Sequence, residues 1–140
     1  MKVFFQKKKI IFHTELKKFS SKNKFSGSIS SFLGKVRPHR NRKEIQFLEI
    51  EFYKKMAYYQ AKRNLKKILS KIQIDDFLII HRYGKLYPSE NIILVLVASE
   101  HRKDGLTFTK KSVEWFKKEI TFWKKETFHS HSSWVQPEYE

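Results

Sequence analysis

The sequence has no cysteine, only three prolines, and only four glycines, at 27, 34, 84 and 105. Without cysteine there is no disulfide, thiolate metal site or cysteine nucleophile, which is compatible with a reducing intracellular compartment. The scattered glycines form neither a dinucleotide-binding nor a P-loop fingerprint. Long hydrophobic runs are also missing. The longest, residues 92–98, is far too short to cross a bilayer, and the triplet Lys7-Lys8-Lys9 interrupts the apolar start, so no signal segment is read there. These absences point to a soluble cytoplasmic protein with no membrane partner.

What is present is positive charge. The 140 residues, suited to one domain spanning 1–140, carry a formal net charge of +16. Such a balance fits a basic nucleic-acid-binding module, which would bind RNA or DNA with steep salt dependence, or an acidic protein partner. Composition offers another source. Lysine supplies 24 of the 30 basic residues, alanine occurs only at 57, 61 and 98, and phenylalanine occurs 13 times. An A+T-rich coding bias would produce that pattern without a nucleic-acid partner.

Periodicity predicts the order β-α-β-β-α-β-β-α-β-β, an α+β or mixed-sheet α/β architecture. Residues 3–12 read as an edge strand, Thr14 as the cap of a short helix to Phe19, and 20–26 as a loop. Residues 27–36 read as a strand running into a basic loop at 37–43, and 45–52 as an alternating strand. Residues 54–70 read as an amphipathic helix. Strands follow at 77–81 and 92–98, the second continuous enough to be covered on both faces. Turns are expected at Tyr83-Gly84-Lys85 and Tyr87-Pro88-Ser89. A helix over 107–120 should bury Phe108, Ser112, Trp115, Phe116 and Ile120, with short strands at 122–127 and 133–136.

Three basic clusters lie at element ends: Lys35-Val36-Arg37, His101-Arg102, and Lys117 with Lys124-Lys125. Arginine grips phosphate through paired hydrogen bonds and lysine supplies a point charge, so a pocket built from them would take a small phosphorylated anion. His129 and His131, with no nearby acidic or cysteine partner, read as surface loop and not as a metal site. His81-Arg82 reads as structural, in a turn, and Phe32 and Trp123 as packing.

Five stretches together resemble one known family. They are Gly27-Ser-Ile-Ser-Ser-Phe-Leu-Gly-Lys-Val-Arg37, Leu48-Glu-Ile-Glu-Phe-Tyr-Lys-Lys-Met-Ala57, Ile80-His-Arg-Tyr-Gly84, Ala98-Ser-Glu-His-Arg102, and Phe122-Trp-Lys-Lys-Glu126 followed by Trp134-Val135. Their order and spacing are similar to the landmarks of the molybdopterin synthase large (catalytic) subunit family, over residues 27–135. The N-terminal strand and short helix, 1–26, precede the resemblance. It implies an α/β hammerhead-like α+β domain with an additional small antiparallel sheet. It implies a homodimer of large subunits, flanked in a heterotetramer by small ubiquitin-like sulfur-carrier subunits. The Gly-Gly tail of each small subunit bears a thiocarboxylate. The implied reaction adds two sulfurs to cyclic pyranopterin monophosphate and forms the dithiolene of molybdopterin. No cofactor is implied, and the absence of cysteine fits a sulfur that arrives on a partner.

Residue by residue, Lys117 and Lys124 match the lysines tied to catalysis. Lys117 would assist proton transfer or stabilise the attacked acyl group, and Lys124 would hold phosphate or thiocarboxylate. Lys35, Val36, Arg37, His101 and Arg102 match substrate-contacting positions, and Lys125 and Glu126 are expected to line the same pocket as Lys124. Departures from the family pattern are Thr121 for proline, Ser89 for glycine, Gly105-Leu106 for Ala-Phe, and Ile50 for tyrosine.

Overall fold

A computed structural model describes residues 1–136. The last four positions of the expected 1–140 domain lie outside the described residues. Strands β1 (Lys2–Gln6), β6 (Asp76–Arg82), β8 (Asn91–Ser99) and β2 (Ser28–Lys35) form a four-stranded sheet in the order β1-β6-β8-β2. Its β1–β6 pair is parallel and the other pairs are antiparallel. A second sheet, wholly antiparallel, has the order β10-β9-β5-β7, from β10 (Ser132–Trp134), β9 (Phe122–Thr127), β5 (Phe47–Phe52) and β7 (Gly84–Leu86). With helices α1 (Phe12–Lys22), α2 (Lys54–Leu69) and α3 (Arg102–Lys118), the architecture is the expected α+β, including the additional antiparallel sheet.

Strand β8 shows why its sequence is continuously apolar. Side chains alternate between faces of a strand, and both faces here are covered. Ile93, Val95 and Val97 join Phe108, Trp115 and Phe116 of α3 and Ala57, Ala61 and Leu65 of α2 in one core cluster. Leu94, Leu96 and Ala98 pack with Phe19, Phe12 and Leu16 of α1 in another. A third cluster, Val36, Leu48, Ile50 and Leu86, lines the second sheet, and Tyr83, Ile92 and Phe122 touch both it and the first. Fully burying each large apolar side chain stabilises the fold by roughly 1.5–3 kcal/mol, which is what holds the two sheets together.

Several boundaries differ from the sequence reading. The first strand stops at Gln6, where the charged triplet begins, and residue 12 already opens α1. Thr14 is not the cap. Ile11 occupies that position without a side-chain hydrogen bond, and α1 continues through Ser20 and Ser21 to Lys22. The basic loop contains a small hairpin, β3 (His39–Arg40) with β4 (Lys43–Glu44), turned by Asn41 and Arg42 at positive φ. Gly84, at φ +88, does turn the chain, but it also begins β7. Helix α3 starts at Arg102, five residues earlier than expected. Gly105 lets it approach the sheet so closely that a Cβ there would lie 2.5 Å from Ser99 Oγ. Phe32 and Trp123, expected to pack, are 36% and 49% exposed.

Candidate active site

Strand alternation sorts the residues of β9. Phe122, Lys124 and Glu126 share one face, and Trp123, Lys125 and Thr127 share the other. Lys124 lies across from Ile50 and Glu126 across from Leu48, both core residues, so this first face is the inner one. Lys125, expected to line the pocket with Lys124 through backbone or side chain, turns its side chain outward. Its ammonium lies 3.6 Å from Glu49 and 5.7 Å from the centre of the Trp134 ring. The reason is the two-residue period of a strand, which sends neighbours to opposite faces.

Glu126 is buried and forms an ion pair with Arg40 of the β3–β4 hairpin. That contact fastens the basic loop beginning at Arg37 to the strand that carries Lys124. A second tether holds the segment just before Arg37. Val36 donates its N–H to the Glu90 carbonyl at 2.9 Å and accepts from the Ser89 N–H at 2.9 Å. Glu90 is itself held by the buried Arg82, whose Nη1 donates to Glu90 Oε2 at 2.7 Å. That hydrogen bond keeps the Glu90 carboxyl below the usual carboxylate range. Val36 is buried in the same cluster as Leu48 and Ile50, so the end of β2 is seated against the inner face that presents Lys124.

His81 lies in β6, buried, and not in a turn as the sequence reading had it. Its ring is stacked 4.2 Å from Phe122 and 6.0 Å from Phe116, with interplanar angles of 14° and 11°. Nδ1 lies 2.8 Å from the Arg82 carbonyl, so the neutral tautomer carries its proton there and donates it. Burial, and next the charge of Lys124, push the imidazole down to about 3, against the smaller opposing pull of the Arg82 carbonyl. His81 is therefore uncharged at neutral pH, and Lys124 lies near enough for its field to be felt. Phe116 immediately precedes Lys117 in the last turn of α3, where Lys117 itself is exposed.

His101 and Arg102 are elsewhere in the chain. His101 is the exposed N-cap of α3 and Arg102 its first residue, whereas Lys117 is next to its last. At about 1.5 Å per residue, roughly 22 Å separates Arg102 from Lys117 along the helix. Val36, Lys124 and Glu126 thus share the inner side of the second sheet, Lys35 and Arg37 are exposed on either side of Val36 in sequence, and His101-Arg102 lie at the opposite end of α3 from the exposed Lys117. The groove of about 280 Å³ between α2 and α3, lined by Lys67, Lys111, Trp115 and Lys118 among others, takes in none of the expected site residues. Sequence reasoning missed Arg40, one more cation in a basic loop, and the part played by His81, visible only once its two phenylalanines are in place.

Cations at the end of β2 and on the inner face of β9 suit a small anion. Among the described residues there is no cysteine and no group of three or more His, Asp or Glu that could hold a metal ion. Residues 5–119 match the family model described as MoaE protein. The molybdopterin synthase catalytic subunit of Ralstonia nicotianae is 33% identical over 109 residues, 78% of this chain and 62% of that protein. The chain thus spans less than two-thirds of that relative's length. The subunit of the same name from Pyrococcus abyssi is 34% identical over 111 residues, 79% of this chain and 75% of that protein. Among solved structures, molybdopterin synthase from Staphylococcus aureus is 26% identical, with a TM-score of 0.81 over 94% of this chain and 95% of that one. By the family match and these relatives, the chain belongs to the MoaE protein family, that of the molybdopterin synthase catalytic subunit.

Proposed function

We propose that this chain is the catalytic subunit of a molybdopterin synthase, a sulfurtransferase of molybdenum cofactor biosynthesis. A small ubiquitin-like subunit delivers sulfur as a C-terminal thiocarboxylate, and cyclic pyranopterin monophosphate receives it twice to form the dithiolene. Each delivery leaves the carrier's tail as an ordinary carboxylate, with water supplying the oxygen. The observation that supports this best is that Val36, the residue before Arg37, is seated in the core cluster against the inner face of β9 that carries Lys124. Arg37 and Lys35 grip the phosphate, Lys124 orients phosphate or thiocarboxylate, and Lys117 moves the proton or steadies the charge that develops on the attacked acyl group. Cations held in place stabilise such charge without the reorganisation that solvent needs.

His101 and Arg102 enter through a second copy of the chain. A helix that separates them from Lys117 by about 22 Å cannot bring both groups onto one small heterocycle, so their role requires a dimer in which one chain's α3 start faces the other's Lys117 and Lys124. The whole chain, 1–140, then acts as one domain, in the cytoplasm. No helix among the described residues is long and apolar enough to cross a membrane.

The test mixes the chain with a thiocarboxylated small subunit and cyclic pyranopterin monophosphate. Dithiolene product is expected. Its absence, under conditions where an authentic catalytic subunit works, overturns the reading. Tight RNA binding with steep salt dependence would favour the nucleic-acid module instead.

A further inference from the structure

We infer that His81 is a positioning residue, a flat aromatic spacer that sets Lys117 at the end of α3 in its place relative to Lys124 on β9. This rests on the sulfur-transfer reading for its consequence, though not for its geometry. The ring lies between Phe116 and Phe122 at 6.0 and 4.2 Å, nearly parallel to both. Phe116 is the residue before Lys117, and Phe122 lies two positions before Lys124 on the same face of β9. The imidazole therefore packs against one aromatic residue of each lysine-bearing element and ties the end of α3 to β9.

Three features explain histidine at this point. The aromatic plane fills a slot between two other planes, which an aliphatic chain would not. The Nδ1–H donates to the Arg82 carbonyl at 2.8 Å, and this locks the ring's rotation so that the stack has one geometry. The ring also stays uncharged near a lysine, where a permanently cationic side chain would repel Lys124 and bear the cost of burial. Phe5, centred 6.4 Å away, and Phe52, in contact with both Phe5 and Phe122, close the aromatic cluster behind it. The Lys117 and Lys124 geometry is thus set by packed rings and not by surface loops.

Two variants separate thickness from hydrogen bonding. His81→Phe keeps the ring and loses the donor, whereas His81→Asn keeps a donor and loses the ring. In the synthase assay His81→Asn is expected to lower kcat about tenfold or more with KM for the pterin precursor little changed, because misplacement by an ångström weakens catalysis more than binding. His81→Phe is expected to recover most of that kcat. In parallel, a short amine-reactive cross-linker is applied to the unliganded protein and the Lys117–Lys124 product is quantified by peptide mass spectrometry. Its yield should fall in His81→Asn and hold in His81→Phe. A cross-link yield indifferent to residue 81, or a folded His81→Asn with native kcat, overturns the inference. His81→Phe as inactive as His81→Asn overturns it too. Should even the native chain make no dithiolene while the cross-link pattern follows expectation, the sulfur-transfer reading fails and the positioning role stands.

Discussion

Arg40, on an exposed hairpin, is ion-paired with Glu126, a carboxylate 3% exposed on the inner face of β9. A buried charge deprived of its partner is far more costly than a buried pair is favourable. Arg40→Ala should therefore destabilise the fold by about 3 kcal/mol. Arg40→Ala combined with Glu126→Gln should cost distinctly less than the two singles summed, since the coupling is lost once. Urea unfolding of the four proteins of this cycle measures it. Additive losses would mean that the pair carries no coupling.

The two faces of β9 make contrasting predictions for adjacent residues. Lys124→Ala and Lys117→Ala should each lower turnover by about 100-fold or more with the fold intact, the scale expected for losing a group that handles a proton or a developing charge. Lys125→Ala removes two exposed contacts, with Glu49 at 3.6 Å and with the Trp134 ring at 5.7 Å, each of a kind worth little. Its turnover should stay within about threefold of native, a change smaller than about 1 kcal/mol. Steady-state kinetics with circular dichroism as a folding control decides both.

Acid sensitivity should trace to His81. Its folded value of about 3 lies below the ordinary 6.5, so as pH falls the unfolded chain takes up the proton first. Stability from the neutral ring is complete above about 6.5 and drains away as pH falls toward about 3. Among the elements around the ring (β1, β8, α3 and β9), the charge that reaches it is that of Lys124. The melting temperature of the native chain should drop between about pH 7 and about pH 5. In His81→Phe the drop should be smaller. Equal slopes for the two would contradict the assignment.

Ser89 stands where the related family places glycine, and its φ is +70. A non-glycine residue there bears roughly 1–2 kcal/mol of strain, while glycine gives back about 0.5–1 kcal/mol in unfolded-chain entropy. Ser89→Gly should thus raise stability by about 0.5–1 kcal/mol, read as a higher denaturation midpoint.

Gly105→Ala makes the opposite case, although it restores the family's residue. Alanine improves helix propensity by about 1 kcal/mol, but its Cβ would meet Ser99 Oγ at 2.5 Å and Ser30 Oγ at 2.9 Å. Ser99 Oγ is engaged with the His101 carbonyl at 2.7 Å and yields poorly. Overpacking costs typically 1–3 kcal/mol, so the net change should be a loss of about 1 kcal/mol. A stabilised variant would show that the serines rotate aside.

What the sequence made legible follows from which contacts are made by side chains. Strand β8 and the inner stripe of α3 were readable because Val95, Val97, Phe108 and Phe116 advertise the faces they bury. The first turn of α3 was not, because it packs through the missing side chain of Gly105. The β3–β4 hairpin was hidden by Arg42, a residue type that rarely marks a left-handed turn. For the site, the basic clusters drew attention to Arg37, Lys117 and Lys124, and the matching motifs gave them roles. The divergence of Lys125 from Lys124 was implicit in strand alternation. The isolation of His101-Arg102 was not, since it depends on how far α3 extends toward its N-terminus.

The pairing pattern also constrains how the chain is made. Each ladder of the first sheet involves β6 or β8, and β5 of the second must wait for β7 and β9. While a ribosome is still translating the first half, the tiny β3–β4 hairpin is the single strand pair of the described residues that can close. The basic N-terminal half must therefore remain soluble as unpaired strands and nascent helices until Asp76 and the residues after it emerge. Mutual repulsion among its many lysines is well suited to keeping such a nascent chain from aggregating.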